Sequence, residues 1–249
     1  MNNNSSNMRY VGFFDMLGFK DAVKKDFNEA WGALEDLRVS MEETLNLFIK
    51  LPQKTIMTNS RDRIVATNFS DSILLFTLQD TLEDLHRMLL ACAGFFGKAL
   101  HRCVPLRGGI AYGDFLFNPE KNLFCGPPLI TAYELGQRAQ WSGIVVDDEV
   151  AAHYRRNPIK PNGRMVIGRK AIPAKICQHE TKRQKFWVLN WVILYKANFT
   201  VDVPISSELY SAAFKSLFKS DYKDWPKDIQ AIYDNTVEFI NSSLKKTKT

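Results

Sequence analysis

The sequence predicts an α+β fold in which strands and helices alternate along one chain. Three patterns indicate it: short apolar runs typical of buried strands, longer segments with helical periodicity between them, and turn residues at the junctions. The 249 residues, of which 45% are hydrophobic, suffice for one substantial core. We therefore expect a folded protein with little disorder outside its ends.

The first half of the chain follows the order strand, helix, strand, strand, helix, strand. Its two helices repeat apolar residues every three or four positions, its strands are short apolar or β-rich runs, and Asp80-Thr81 is a typical helix N-cap. The segments are the strand RYVGFF (9–14), a helix from Lys20 to about Lys50, the strands RIVATNF (63–69) and SILLF (72–76) with the hairpin turn Ser70-Asp71, a helix from Thr81 to about Leu100, and PLRGGIAYGDFLF (105–117) as a strand, a tight glycine turn and another strand. This order matches the ferredoxin-like βαββαβ unit.

The second half predicts extra strands and a helical tail. In order, they are a helix over 127–140, a short strand in GIVVDDEV (143–150) followed by a short helix that Asp147-Asp148 begins and caps, two strands in RMVIGRK (164–170) and FWVLNWVIL (186–194), and a helical pair over about 206–244 broken near Trp225-Pro226. We expect a main domain over 8–203 and a helical C-terminal extension over 204–249 with a disordered basic end.

Composition excludes several classes of protein. No window has the apolar length that a membrane span needs and the start lacks a signal-peptide pattern, so we expect a soluble, cytoplasmic protein without a membrane partner. The net charge of +6 lies mostly in short runs typical of solvated surfaces, and no zinc finger or RNA-binding signature predicts a nucleic-acid partner. The scattered cysteines predict reduced thiols rather than disulfides or a zinc site: Cys92, Cys103, Cys125 and Cys177.

Two aspartates stand at strand ends that the predicted topology brings together. Asp15 ends the first strand and Asp71 precedes the third, and these strands are central neighbours in a βαββαβ sheet. Taken alone, Asp15 is also typical of a helix N-cap or a turn after a strand, and Asp71 is more typical of a hairpin turn than of a metal ligand. Two close carboxylates repel unless a cation neutralises them, and carboxylate oxygens select Mg²⁺ or Mn²⁺. The histidines show no mutual ligand spacing: His86, His101, His153 and His179.

A glycine turn follows Asp15. Gly18 lies between the first strand and the first helix, where free backbone N–H groups are a natural seat for phosphate oxygens. A turn glycine is by itself only a conformational signal. Beside the acidic pair it predicts a site for a metal-bound triphosphate.

Four segments carry a family resemblance. They are FFDMLGF, NFSDSILLF, LRGGIAYGDF and GPPLITAYELGQR, spread over about 8–150. In this order they resemble the class III nucleotide cyclase catalytic domain, and FSDS and AYEL look most like the pyrimidine cyclases of Pycsar antiphage defence. The resemblance implies conversion of UTP to 3′,5′-cyclic UMP and pyrophosphate as a second messenger, or alternatively of CTP to cyclic CMP. It also implies a separate effector that the cyclic nucleotide activates.

The resemblance also implies roles for single residues. Asp15 and Asp71 match the aspartates that bind two divalent ions, Mn²⁺ or Mg²⁺, and Met16 matches a backbone carbonyl ligand. Leu17, Gly18 and Phe19 match the triphosphate turn. Arg138 falls near the arginine that reaches the α-phosphate in the partner subunit, which implies a homodimer with active sites at its interface.

The sequence departs from the purine cyclases at several positions. Thr67 and Ser70 stand where those enzymes have K-x-x-G-D, so the purine-selecting lysine is absent. Glu134 replaces the asparagine of N-x-x-x-R and is equally placed for a helix-surface ion pair with Arg138. Two further alternatives are open. Tyr133 contacts either the base or the core, and Arg107 contacts either phosphate or a buried acid.

Two rival functions share the predicted fold. One is intermolecular phosphoryl transfer, as in polymerases and diguanylate cyclases, although the sequence has no GGDEF-like run. The other is a non-catalytic domain that only binds nucleotide.

Overall fold

The computed structural model describes residues 7–48, 63–159, 165–173, 183–199 and 202–245. The strands are β1 (Met8–Met16), β2 (Ile64–Phe69), β3 (Ser72–Thr77), β4 (Leu106–Asp114), β5 (Leu116–Asn118), β6 (Leu123–Cys125), β7 (Ile144–Val146), β8 (Ile167–Pro173) and β9 (Arg183–Leu189). The helices are α1 (Phe19–Lys25), α2 (Phe27–Phe48), α3 (Leu82–His101), α4 (Pro127–Arg138), α5 (Asp148–Arg156), α6 (Trp191–Asn198), α7 (Ser207–Phe218) and α8 (Lys227–Lys245).

Seven strands form one sheet in the order β2-β3-β1-β4-β7-β9-β8. In the four strands β2, β3, β1 and β4 each strand is antiparallel to its neighbour, and their order is that of the predicted ferredoxin-like unit. Strand β7 then pairs in parallel with β4, and β9 and β8 continue the sheet in antiparallel fashion. The mixed α+β fold, its extra strands and its C-terminal helices are therefore confirmed.

The two faces of the sheet are covered unequally. On one face, Phe14 of β1 packs edge-to-face on Phe95 and Phe96 of α3, within a core that continues into the C-terminal helices. On the other face, the smaller cluster of Val11, Val65, Leu74, Phe76 and Phe115 lies beside α4 and the β5–β6 hairpin. Large apolar side chains stay exposed on this second face, which also bears the candidate site.

The predicted helix from Lys20 to about Lys50 is two helices. Asp26 interrupts it with an extended backbone, φ −153° and ψ 105°. Its side chain accepts hydrogen bonds from the N–H groups of Asn28 and Glu29 at 3.0 and 3.2 Å. The aspartate therefore ends α1 and caps α2. Hydrogen bonds from its side chain to the backbone compete with a continuous helix, and the apolar periodicity of the sequence does not indicate such a break.

Two further predictions about elements are wrong. The glycine turn predicted in PLRGGIAYGDFLF is absent, because Gly108 and Gly109 lie inside the continuous strand β4. The end of FWVLNWVIL is helix α6 instead of strand, and Asn190 caps it by accepting the N–H of Ile193 at 3.2 Å. Residues 191–195 are buried on every side, so their sequence lacks the polar face that marks a surface helix.

Several local predictions are confirmed. The Ser70-Asp71 turn joins β2 to β3, and Thr81 caps α3 in a capping box with Asp84. Asp147 caps α5, as the pattern Asp147-Asp148 indicates. The C-terminal helices α7 and α8 are separated near Trp225-Pro226.

The structure leaves some predictions untested. The basic end of the chain (246–249), Cys177 and His179 lie outside the described residues. Cys92, Cys103 and Cys125 are free thiols, as expected. Among the helices of the described ranges, none combines the length and hydrophobicity needed to cross a membrane.

Candidate active site

Asp15 lies near the end of β1, between its neighbours in the sheet. It pairs in register with Ser72 of β3 on one side and with Arg107 of β4 on the other. The backbone N–H of Met16 donates to the carbonyl of Asp71 at 3.1 Å. The antiparallel pairing of β1 and β3 thus brings the two aspartates to one edge of the sheet, as their positions in the sequence predict.

Three side chains surround the Asp15 carboxylate. Ser72 Oγ donates to Oδ1 at 3.2 Å, and Gln137 Nε2 donates to Oδ2 at 3.4 Å. Arg107 Nη2 lies 3.5 Å from Oδ2 and also donates to Gln137 Oε1 at 2.7 Å. Arg107 therefore pairs with the buried acid, which is one of the two roles that its sequence position allows.

The pKa of the Asp15 carboxyl lies above its usual value. Burial is the largest cause, the charge of Asp71 adds to it, and Arg107 and Ser72 oppose it. The carboxylate is thus only partly compensated within the chain, so additional positive charge at this position would stabilise the ionised form.

The donor set fits a hard divalent cation. Two carboxylates and the Met16 carbonyl at one sheet edge are oxygen ligands of the kind that Mg²⁺ and Mn²⁺ prefer. Within the described ranges, no group of three or more His, Cys, Asp or Glu side chains could hold a metal ion. An ion at Asp15 and Asp71 would therefore complete its coordination with backbone, water or substrate oxygens.

The turn after β1 exposes backbone donors. Gly18 has φ +72°, in the left-handed region that favours glycine, and it caps α1. The N–H of Leu17 is already donated to the Pro105 carbonyl at 3.0 Å. Among the described residues, the N–H groups of Gly18, Phe19 and Lys20 have no partner. Of the predicted triphosphate turn Leu17, Gly18 and Phe19, the N–H groups without a partner therefore begin at Gly18.

An apolar cavity of about 560 Å³ opens on the same face. Its lining includes Phe13, Phe69 and Tyr133, and Ser72 connects it to Asp15. Tyr133 packs edge-to-face on Phe13 with ring centroids 5.6 Å apart, yet its side chain stays 48% exposed. It is therefore a wall of the cavity and not a core residue. Thr67 lies two residues before Phe69 on β2 and is half-buried.

One solved structure decides what fold this is. The catalytic core of a rhodopsin-guanylyl cyclase with converted specificity, in complex with ATPαS, matches with a TM-score of 0.50 and 13% identity, covering 73% of this chain and 94% of that chain. The fold is that of a class III nucleotide cyclase catalytic domain. A class III adenylyl cyclase-like ATP-binding protein from Pseudomonas aeruginosa matches with a TM-score of 0.40 and 12% identity, covering 59% of this chain and 34% of that chain. No family model and no curated protein matches the sequence.

Within this cyclase fold, Arg138 is the last residue of α4 and is exposed. In the part of the chain that the structure describes, it forms no ion pair with Glu134 or any other residue. The helix-surface pair that their spacing allows is therefore absent. Arg138 is thus an exposed residue at the end of α4, next in sequence to Gln137.

Two residues that contact Asp15, Ser72 and Gln137, were not predicted from the sequence. Ser72 follows Asp71 directly, so strand alternation and the β1–β3 register indicate that it faces Asp15. Gln137 precedes Arg138, but its contact depends on how α4 crosses the sheet, and no local pattern reports that crossing. Arg107 and Gln137 together join β4 and α4 to the carboxylate.

Proposed function

We propose that this protein is a nucleotide cyclase that converts a nucleoside triphosphate into a 3′,5′-cyclic nucleotide and pyrophosphate. One observation supports this proposal most directly. In a fold of the class III cyclase type, Asp15 and Asp71 converge at one sheet edge, and the pKa of the Asp15 carboxyl is raised by burial first and by the charge of Asp71 second. A pair of this kind suits the binding of two divalent ions.

The reaction is an in-line displacement at the α-phosphorus. The ribose 3′-oxygen forms a bond to that phosphorus, the bond to the bridging oxygen of the β-phosphate breaks, and pyrophosphate leaves with the electron pair. The 3′-hydroxyl proton passes to solvent. Bound divalent ions would supply Lewis acidity that lowers the pKa of the hydroxyl and offsets charge on the leaving group.

The protein's own groups bind and orient the substrate. Asp15, Asp71 and the Met16 carbonyl would hold the divalent ions, and Ser72 and Gln137 fix the orientation of the Asp15 carboxylate. The N–H groups of Gly18 and Phe19, together with the neighbouring Leu17 backbone, form the triphosphate turn. Arg138 stabilises charge that develops on the α-phosphate.

We propose a pyrimidine substrate, with UTP first and CTP second. Thr67 and Ser70 occupy the positions where purine cyclases have a lysine and a glycine before the aspartate. The Tyr133 side of the apolar cavity offers an aromatic ring for stacking a base. The choice between uracil and cytosine follows from the Pycsar resemblance alone.

The test is a panel of the four nucleoside triphosphates with Mn²⁺ or Mg²⁺ and mass-spectrometric identification of products. We expect cyclic UMP and pyrophosphate. Asp15→Asn and Asp71→Asn should each lower turnover about a thousandfold. Asp148→Asn, an exposed acid at the start of α5, is the matched control and should leave turnover unchanged. The absence of a cyclic product from every nucleotide, or full activity in both site variants, would refute the proposal.

One observation favours a second candidate, a domain that binds nucleotide without turnover. Arg107 Nη2 lies 3.5 Å from Asp15 Oδ2, so part of the positive charge that would offset the carboxylate comes from the protein itself and not from a metal ion. Calorimetry separates the two functions. Tight nucleotide binding that is independent of divalent ions, with no product, would favour the binding domain.

A homodimer with shared sites is part of the proposal. The site face leaves apolar side chains uncovered, among them Leu123 at 59% and Ile130 at 62% exposure, which a second subunit would bury.

We also propose that the cyclic nucleotide is a second messenger in antiphage defence and activates a separate effector. Loss of phage protection in cells carrying Asp15→Asn, together with loss of the cyclic nucleotide, would support this role. Unchanged protection would exclude it.

A further inference from the structure

Helix α7 ends against the turn that follows Asp15. A Cβ atom built on Gly18 would stand 2.9 Å from Phe218 Cζ and 3.3 Å from Leu217 Cδ2. The Phe218 ring therefore occupies the space that a side chain at Gly18 would need. The ring itself is held from behind by Phe214 and Trp225, with centroid distances of 5.4 and 5.6 Å.

Polar contacts fix the same end of α7. Lys25, the last residue of α1, donates from Nζ to the Phe218 carbonyl at 2.6 Å. Lys219, the C-cap of α7, forms an ion pair with Glu29 of α2. The end of α7 is thus attached to both helices that follow the glycine turn.

Helix α8 contacts the chain just after Arg138. Asn235 Nδ2 donates to the Gln140 carbonyl at 2.8 Å, and Thr236 Oγ accepts the N–H of Ser142 at 2.9 Å. Between them, Trp141 packs edge-to-face on Phe239 with centroids 4.8 Å apart. The C-terminal pair therefore contacts the backbone at two places close to the site.

We propose that the C-terminal end of α7 is a positioning element of the active site, and that Phe218 is the residue that holds the glycine turn in its binding geometry. This inference rests on the proposed function. The turn has few hydrogen bonds of its own, since the N–H groups of Gly18, Phe19 and Lys20 are unpaired among the described residues. Its order depends on packing, and a turn that is ordered before binding loses less entropy on contact with a ligand.

The test compares Phe218→Ala with Phe218→Leu and with Ile232→Ala. Leucine keeps an apolar contact at the turn, while Ile232 is buried in α8 and controls for a general loss of stability. Hydrogen exchange is measured at the turn amides that are bonded in the native protein: Met16, Leu17, Asp21 and Ala22. Affinity for tripolyphosphate with Mg²⁺ and the kcat and KM values for the nucleotide are measured on the same proteins.

We expect Phe218→Ala to exchange faster at these amides, to bind tripolyphosphate about tenfold more weakly and to raise KM by a similar factor, with a smaller effect on kcat. Phe218→Leu should restore most of the affinity, and Ile232→Ala should leave both the turn amides and KM unchanged. If Phe218→Ala does not fold, Phe218→Leu is the test variant: faster exchange at these amides and weaker tripolyphosphate binding than in Ile232→Ala would support the inference, and no difference between the two would overturn it.

Three outcomes would overturn the inference. They are unchanged exchange and affinity in folded Phe218→Ala, equal effects in Ile232→Ala, and no tripolyphosphate binding by the wild-type protein. A wild-type protein that binds tripolyphosphate but forms no cyclic nucleotide would refute the proposed reaction alone, because exchange and affinity still report on the turn.

Discussion

Among the described residues, the carboxyl groups of Asp15 and Asp147 both have raised pKa values for the same main reason and with different consequences. Burial is the largest cause for Asp15 and also for Asp147, whose pKa is raised to about 6. Asp15 faces a second acid and an arginine at the candidate site, while Asp147, the N-cap of α5, accepts hydrogen bonds from the backbone N–H groups of Val150 and Tyr112. At the residue scale, burial makes the ionised form of a carboxyl group less favourable, and the neighbouring groups determine whether that carboxyl group has a chemical role.

Asp147 predicts a dependence of stability on pH. The native carboxyl has a pKa of about 6, above its usual value of 3.8, because burial outweighs the hydrogen bonds from the N–H groups of Val150 and Tyr112, and nearby Glu149 and Asp148 add repulsion. Between about pH 4 and pH 6 the native state keeps a proton that the unfolded chain releases. Its contribution to the free energy of unfolding therefore falls by about 2 to 3 kcal/mol as pH rises through this window.

Asp147→Asn removes this titration. Urea unfolding at pH 4 and pH 7 should show that the variant gains about 2 kcal/mol on wild type between the two values. Wild type loses stability as pH rises because the native pKa of Asp147 is raised; a lowered native pKa would make it gain stability instead. Equal pH dependence in the two proteins would contradict the prediction.

At the scale of elements, the crossing of α4 over β4 brings Gln137 of α4 into contact with Arg107 of β4 and Asp15 of β1. A Cβ on Gly136 would lie 2.8 Å from the Cα of Gly108, and one on Gly109 would lie 2.5 Å from the Ala132 carbonyl. The two backbones touch because these positions lack side chains. This close approach places Gln137 beside Asp15. The glycines therefore contribute to the site by allowing the helix and the strand to pack closely, and not by forming turns.

Gly136→Ala should push α4 away from β4. The clash is with backbone, which cannot rotate away, so we expect a loss of about 1 to 3 kcal/mol in the free energy of unfolding and a drop in turnover as Gln137 leaves Asp15. Gly32→Ala in α2 is the matched control, since a Cβ there meets nothing within 4 Å. That change should stabilise the protein by about 0.5 to 1 kcal/mol. Chemical denaturation of both variants measures the difference, and a stabilising Gly136→Ala would show that the contact is looser than described.

At the scale of the whole molecule, one continuous core links the sheet to the C-terminal helices. Tyr210, Phe214 and Phe239 belong to the same cluster as Phe14 of β1. The opposite face of the sheet has only a small cluster and exposed apolar side chains around the candidate site. This asymmetry suits a second subunit on the site face.

The shared-site dimer predicts complementation between inactive variants. Asp15→Asn and Arg138→Ala should each be inactive alone, because each damages both sites of its own homodimer. After subunit exchange, half of the dimers are mixed and each has one undamaged site, so activity should recover to about a quarter of wild type. Activity assays before and after exchange measure it. No recovery, with mixed dimers demonstrated by mass spectrometry, would show that Asp15 and Arg138 act within one chain.

Much of the site was predictable because its signals are local. Asp15 and Asp71 flank strands that β-propensity identifies, and the order of the elements predicts that β1 and β3 are neighbours. The contacts of Arg107 and Gln137 with Asp15 were not predictable, because they depend on the crossing of α4 over β4. The break at Asp26 escaped the periodicity because the apolar pattern continues across it.

The sequence by itself determined the α+β class, the strand order around the acidic pair and the caps of α3 and α5, because propensity, periodicity and capping act over a few residues. Only the tertiary structure decided that Gly108 and Gly109 lie inside a strand, that α6 is a helix and that Phe218 rests on Gly18. These features arise between segments far apart in the chain, where packing and close backbone approach outweigh local preference.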